Sequence, residues 1–151
     1  MNFSLEITMK TDLSTLPKVE DVYITMLPGD NFKTMQKTLD LSLELCTIAW
    51  NAYAVMALPG SALYIDAIER GFELPKDYEG YSFHSYETQP LPTATLKPEE
   101  ILEFRDKSYK NYHTHKSFLS RIEKKFGKKA IDNIKEMTKV TLKRKILGHS
   151  R

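Results

Sequence analysis

The sequence predicts an α/β fold with a helical C-terminal extension, and three observations carry that reading. Two apolar segments have the composition of buried strands, nearly the same turn closes each of them, and apolar residues recur at helical spacing from residue 98 onward. Phe3, Leu5, Ile7 and Met9 alternate with Ser4, Glu6 and Thr8, the period of a half-buried strand, and Thr11 to Lys18 reads as a polar loop. Val22, Ile24 and Met26, with Tyr23, Thr25 and Leu27 between them, are apolar on both faces, as a strand of a covered parallel sheet is. Pro28-Gly29-Asp30 then turns the chain, with Asp30 as the expected N-cap. Phe32, Met35, Leu39, Leu43 and Cys46 follow at steps of three and four, one face of an amphipathic helix with Cys46 as an inert buried thiol. Ile48 to Ala57 is almost wholly apolar and aromatic, which predicts a third buried strand with Trp50 in the core. Ser61 is placed to cap a short helix carrying Leu63, Tyr64, Ala67 and Ile68, and Gly71 to end it in the left-handed conformation.

Leu27-Pro28-Gly29-Asp30 and Leu58-Pro59-Gly60-Ser61 are the same turn, each after a buried strand and before a helix. Strand, turn and helix in succession, twice, is the pattern of βα units in a barrel or a parallel sheet, where the working face lies at the carboxyl ends of the strands. Residues 72–97 show no period. They hold Phe72, Tyr78, Tyr81, Phe83 and Tyr86 and three prolines, and read as a functional loop or a surface strap. Lys97-Pro98-Glu99-Glu100 opens a helix with Ile101, Phe104 and Tyr112 buried. Phe118, Leu119, Ile122 and Phe126 mark a second helix. Ile131, Ile134, Met137 and Leu142 mark a third that runs to Gly148.

Composition narrows the function classes. With 41% hydrophobic and 28% charged residues, the 151-residue chain is globular and long enough for a core. Its one cysteine excludes an internal disulfide, and no Cys/His cluster has zinc spacing. The first residues lack the basic and apolar regions of a signal peptide, and no run approaches ~18 apolar residues, so the expected location is the cytoplasm with no membrane span. Residues 97–151 carry 16 basic and 7 acidic side chains. That excess fits a solvated helical face better than a nucleic-acid surface, so nucleic acid is not an expected partner. His84 and Glu87 are spaced for acid–base work or for plain surface hydrogen bonding. His113 and His115 point different ways on a helix and do not predict a metal pair.

Tyr23-Ile24-Thr25-Met26-Leu27-Pro28-Gly29-Asp30 followed by Thr34-Met35-Gln36-Lys37-Thr38-Leu39-Asp40-Leu41 resembles the next-to-last βα unit of a radical SAM barrel. Met56-Ala57-Leu58-Pro59-Gly60-Ser61-Ala62-Leu63-Tyr64 resembles the last unit. The aromatic segment Tyr78 to Glu87 and the basic tail from Lys124-Lys125-Phe126-Gly127 through Lys143-Arg144-Lys145 are similar to the segments that close the chain in radical SAM proteins that also carry a cobalamin-binding domain. The resemblance implies a partial barrel of about three strands: residues 1–20 unmatched, 21–71 as the last two βα units, 72–97 as an aromatic-rich loop, and 98–151 as a basic helical extension. It implies a C-terminal fragment or subunit that contributes part of the SAM and substrate wall. Ile24, Met26, Gly29, Asp30, Ala57, Leu58 and Gly60 would stand at the cofactor wall, and Tyr81, His84, Tyr86 and Glu87 on a substrate loop. No catalytic residue or metal ligand is implied in this chain. The family's SAM, [4Fe–4S] cluster and cobalamin would reside elsewhere, because the Cys-x3-Cys-x2-Cys loop is absent and Val22 and Met26 stand where glycines are common. The expected partner is a cluster-bearing chain or a second copy. The other class of function is a non-catalytic binding or structural module whose basic helices touch a polyanion or a protein.

Overall fold

The computed structural model describes the backbone from residue 21 and the side chains from residue 26 through Arg151. The strand expected at Phe3 to Met9 and the loop from Thr11 to Lys18 lie outside the described residues. The rest is mixed α/β and mostly helical. Strand β1 (Asp21–Met26) and strand β2 (Ala49–Ala54) pair in parallel, with Asp21 opposite Ala49 and Met26 opposite Ala54. A parallel pair needs a crossover, and helix α1 (Phe32–Leu45) supplies it.

Strand β2 is shorter than the expected segment Ile48 to Ala57, and its two faces differ. Trp50, Ala52 and Ala54 are buried, while Asn51 and Tyr53 are only partly covered. The Phe83 ring and the Arg105 guanidinium meet that second face, where a strand buried on both sides would carry another layer of secondary structure. Past Ala54 the chain pairs with a loop, as the Val55 carbonyl accepts from the Leu91 N–H at 2.9 Å.

The N-cap of α1 is Asn31 and not Asp30. Asn31 Oδ1 accepts from the Lys33 and Thr34 N–H groups at 2.9 and 3.1 Å, and Thr34 Oγ1 accepts from the Asn31 N–H at 3.0 Å. Asp30 sits one residue too early to cap. Its carboxylate instead closes the turn, accepting from the Leu27 N–H at 2.7 Å and the Thr34 hydroxyl at 2.8 Å. The buried stripe of α1 includes Met35 and Leu39 but stops short of Cys46. That residue is the C-cap, left-handed at φ 50°, and half-buried, because the chain must reverse there into β2. Helix α2 (Ala62–Glu69) begins and ends as its sequence predicts. Ser61 Oγ accepts from the Tyr64 N–H at 3.1 Å. Gly71 adopts φ 70°, with the Phe72 N–H bonded to the Ala67 carbonyl and the Gly71 N–H to the Ile68 carbonyl.

A short 3-10 turn, Tyr78–Tyr81, is the only helix-like element in the loop. Helix α3 (Pro98–Thr114) starts on its proline, and Glu100 accepts from the Lys97 N–H at 2.8 Å. It lies against β2 and α1 and carries α4 (Lys116–Phe126) and α5 (Lys128–Lys139) on its other sides. Ala52 and Ala54 are small enough to let α3 approach the strand closely. Ile101, Tyr112, Phe118 and Ile122 then join Trp50 in one core cluster. Helix α5 stops at Lys139, well before Gly148. Residues 140–144 are irregular, and a 3-10 turn, Lys145–Leu147, precedes Gly148. Hydrogen bonds made by Arg144 to distant segments override the helical period there.

The end of α3 holds an aromatic cluster. Trp50 stacks on Tyr112 with ring centroids 4.9 Å apart, and His113 stands edge-on to Phe118 at 5.1 Å. The ring Nδ1 of His113 faces the Tyr109 carbonyl at 2.8 Å. Burial pushes the imidazole pKa below its ordinary value of 6.5, and the carbonyl only partly offsets this. Below that ordinary value the unfolded chain binds a proton that the folded chain refuses, so stability falls as pH drops. The urea midpoint should therefore fall between pH 7.5 and pH 5.5. His113→Gln, which keeps a donor for the Tyr109 carbonyl, should flatten that slope. An unchanged slope would show that His113 is not the titrating group.

Candidate functional site

The parallel register sends both Leu-Pro-Gly turns out of the same end of the sheet, the second after the intervening residues Val55 to Ala57. Each turn closes with a backbone bond, Asp30 N–H to Leu27 carbonyl at 2.9 Å and Ser61 N–H to Leu58 carbonyl at 3.0 Å. Their conformations differ. Gly60 has φ 87°, which favours glycine, whereas Gly29 has no positive φ and an open space where a side chain would go. Leu27 and Leu58 are each 53% exposed at this rim.

The residues expected at the cofactor wall therefore divide. Met26 and Ala57 are core, the latter packed with Ala67 and Leu91. Gly29, Leu58 and Gly60 face solvent, and the Asp30 carboxylate is held inside its own turn. Ile24 lies in β1 opposite Ala52, and its side chain is outside the described residues. The loop residues divide too. Tyr86 Oη donates to the His149 carbonyl at 2.6 Å, and Glu87 accepts from Lys145 Nζ at 2.7 Å. Tyr81 is half-buried, its hydroxyl pKa raised by desolvation and by the neighbouring Tyr64 and Tyr78. His84 is exposed. Phe83 reaches the sheet, edge-on to Tyr53 at 5.0 Å, while Tyr78 is 83% exposed.

What anchors this loop is a buried ionic network. Arg105 and Arg144 are 2% and 0% exposed. Arg144 grips Asp106 with a two-bond fork, Nε to Oδ2 and Nη2 to Oδ1, each 2.9 Å. Its remaining donors reach the Phe83 carbonyl, the Ser85 carbonyl and Thr88 Oγ1, each at 2.8 Å. Arg105 donates to Asp106 Oδ1 at 2.8 Å, to the Ala52 carbonyl at 3.1 Å and to Asn51 Oδ1 at 3.3 Å. One carboxylate thus ties β2, α3, the loop and the tail together. Beside the network opens a cleft of about 630 Å3, between α3 and the segment after α5, with His84 and His149 among its lining.

No family model, curated protein or solved structure matches this chain.

The groups that the resemblance implies can still be tested against the residues present. Cluster ligation needs several thiolates, and Cys46 is a lone cysteine at a helix end, so a [4Fe–4S] cluster does not fit this chain. Among the described residues no three His, Cys, Asp or Glu side chains gather closely enough to hold a metal ion. An adenine lying on the strand ends would need bare backbone, and the Met26 side chain is packed there instead. Among the described residues, no helix is long and apolar enough to cross a membrane.

Sequence reasoning missed Arg105, Asp106, Thr88 and Arg144. One signal was present: Ile101, Arg105, Ser108 and Tyr112 are spaced by four, three and four, which puts an arginine in the middle of a buried stripe. Nothing in the run Lys143-Arg144-Lys145 marks Arg144 apart from its neighbours. Replacing Arg144 with Met would take the guanidinium donor from the Phe83 carbonyl, leave the Ser85 carbonyl to the Thr88 hydroxyl alone among side chains, and cut Asp106 to one guanidinium. Arg144→Met should lower the unfolding free energy by about 3 kcal/mol, read from urea denaturation. Arg144→Lys should recover less than half of that, because a point charge cannot span five acceptors.

Proposed function

We propose that this chain is the C-terminal portion, or a separate subunit, of a cobalamin-type radical SAM enzyme. It would complete a barrel on a cluster-bearing chain, lending part of the SAM and substrate wall while the chemistry stays with its partner. The observation that carries the reading is the parallel pairing of β1 and β2, with a Leu-Pro-Gly turn leaving the same end of each strand. Leu27 and Leu58 at this rim, and Ile65 and Ile68 on α2, all stand more than half exposed, as apolar side chains at an interface do in the absence of its partner. In this reading β1 and β2 are neighbouring staves of a partial barrel.

A second reading has one observation of its own. Lys124, Lys125, Lys128 and Lys129 surround the junction of α4 and α5, all exposed, with Phe126 exposed between them. Such a face suits a non-catalytic module that touches a polyanion. The two readings part in one experiment. The tagged chain, isolated anaerobically from cells, should bring with it a protein containing iron and acid-labile sulfide. Leu27→Asp with Leu58→Asp should abolish that association. Recovery of the chain alone, free of iron, would overturn the proposal. Salt-sensitive retention on a polyanion column would then favour the second reading.

A further inference from the structure

We infer that the cleft beside the buried arginines is a binding site for an amphipathic monoanion, an apolar or aromatic body with one acidic head. The inference is independent of the barrel reading, because the cleft does not involve the strand-end rim. Its volume of about 630 Å3 falls within the roughly 300–1,000 Å3 of small-molecule sites.

The walls account for the apolar body. Tyr109 on one side and Met137, Val140, Leu142 and Leu147 on the other line the cleft. Met137 is 40% and Val140 69% exposed, so folding leaves this apolar surface open to water. The Tyr109 hydroxyl contacts Met137 Sδ at 3.1 Å, which joins the two walls.

Charge accounts for the acidic head. Both acids in the lining are already engaged: Glu103 with Lys107 at 2.8 Å, and Asp106 with the two buried guanidinium groups. Lys110 lines the same cleft and has no acidic partner among the described residues. His149 Nδ1 accepts from the Arg144 N–H at 3.0 Å, which assigns the proton of the neutral ring to Nε2 and makes that atom a donor. The His84 ring, also in the lining, makes no hydrogen bond in the described structure. The unengaged polar groups are therefore the Lys110 ammonium, the His84 and His149 imidazoles and the Thr141 hydroxyl, beside a network in which one carboxylate faces two guanidinium groups. A carboxylate or sulfonate on an apolar frame complements them; a cationic amphiphile does not.

The test uses the full chain and 8-anilinonaphthalene-1-sulfonate, an aromatic body with a single anionic head. One equivalent should bind with enhanced fluorescence. Decanoate should displace it, and decyltrimethylammonium should not. Lys110→Glu should weaken decanoate binding by about tenfold or more, the cost of losing a charge-assisted contact. Lys110→Arg should keep most of the affinity. Val140→Asp should abolish binding, and Leu58→Asp should leave it unchanged. Equal displacement by the cationic amphiphile, or full affinity in Lys110→Glu, would overturn the inference. Loss of binding in Leu58→Asp but not in Val140→Asp would move the probe to the strand-end rim and overturn it as well. Circular dichroism of each variant separates loss of binding from loss of fold, and Lys110, being exposed, is replaced without disturbing the core.

Discussion

The Arg144 guanidinium has five N–H donors, and all five are used inside the protein. A buried cation left unpaired would cost several kcal/mol, so a chain that places Arg144 there must bring acceptors to it from every side. They come from far apart in sequence: Asp106 on α3, and the Phe83 carbonyl, Ser85 carbonyl and Thr88 hydroxyl on the loop. Between Phe83 and Thr88 the loop has no repeating backbone pattern, and two of its carbonyls, Phe83 and Ser85, are aimed at this one side chain. The tail leaves the helix after Lys139, since a helix continued to Gly148 would spend the backbone of 140–147 on its own hydrogen bonds. Around the network, the Lys145 N–H bonds to the Tyr86 carbonyl and Tyr86 Oη to the His149 carbonyl. The second guanidinium extends the same constraint to the sheet, where Arg105 donates to the Ala52 carbonyl of β2.

Local features of the sequence carried most of the regular structure. The Ser61 cap, the Gly71 stop, the proline start of α3 and the middle of the α1 and α4 stripes (Met35 and Leu39, Phe118 and Ile122) depend on residues within a turn of each other and stand where their spacing puts them, whereas Phe32 and Phe126 at the helix ends are exposed. The failures share a physical cause. Asp30 and Asn31 are both good caps in isolation, and the choice between them was made by the Leu27 N–H, which needed an acceptor to close the preceding turn. Cys46 continues the spacing of α1, but the geometry of reversal into β2 takes it out of the helix. The end of α5 and the role of Arg144 rest on partners 38 to 61 residues away, and no window of local sequence contains them. The strand-end rim was legible as a pair of turns; the cleft was not, because its lining comes from the loop, α3 and the tail at once.

The basic character of the C-terminal third changes meaning once its charges are located. Arg105 and Arg144 belong to the core, where Asp106 and oriented carbonyls compensate them. Lys107, Lys139 and Lys145 each face an acid, Glu103, Glu136 and Glu87. Exposed pairs of this kind contribute little stability and are screened by salt, yet they do neutralise the field near them. Among the charges with no acidic partner in the described residues, Lys124, Lys125, Lys128 and Lys129 gather around Gly127 and Lys110 lies in the cleft, while Lys97, Lys116, Arg121, Lys135, Lys143 and Arg151 are scattered along the sequence. Net charge of a segment is thus a poor guide to its partners. Its distribution separates a structural part, a neutralised part and an unpaired part that includes the Gly127 cluster and Lys110.

The repeated Leu-Pro-Gly turn also changes meaning when its two copies are compared. In the second copy Ser61 both closes the turn, donating to the Leu58 carbonyl, and caps the next helix. In the first copy those tasks fall on two residues, Asp30 for the turn and Asn31 for the cap, and the glycine does not need a positive φ. The copies are alike in their task, ending a strand and starting a helix, and unlike in geometry. They cannot present the same arrangement of backbone to a ligand, so a symmetric site across the two turns is excluded. The loop touches both stretches, the Leu91 N–H bonding to the Val55 carbonyl and the Ala94 N–H to the Pro28 carbonyl, but its Tyr86 and Glu87 side chains turn away from them and bind the tail. The strand-end rim and the cleft are consequently two separate surfaces of one fold. The rim takes its shape from backbone turns. The cleft takes its shape from the ionic network, so changes to the tail should alter the cleft and leave the rim intact.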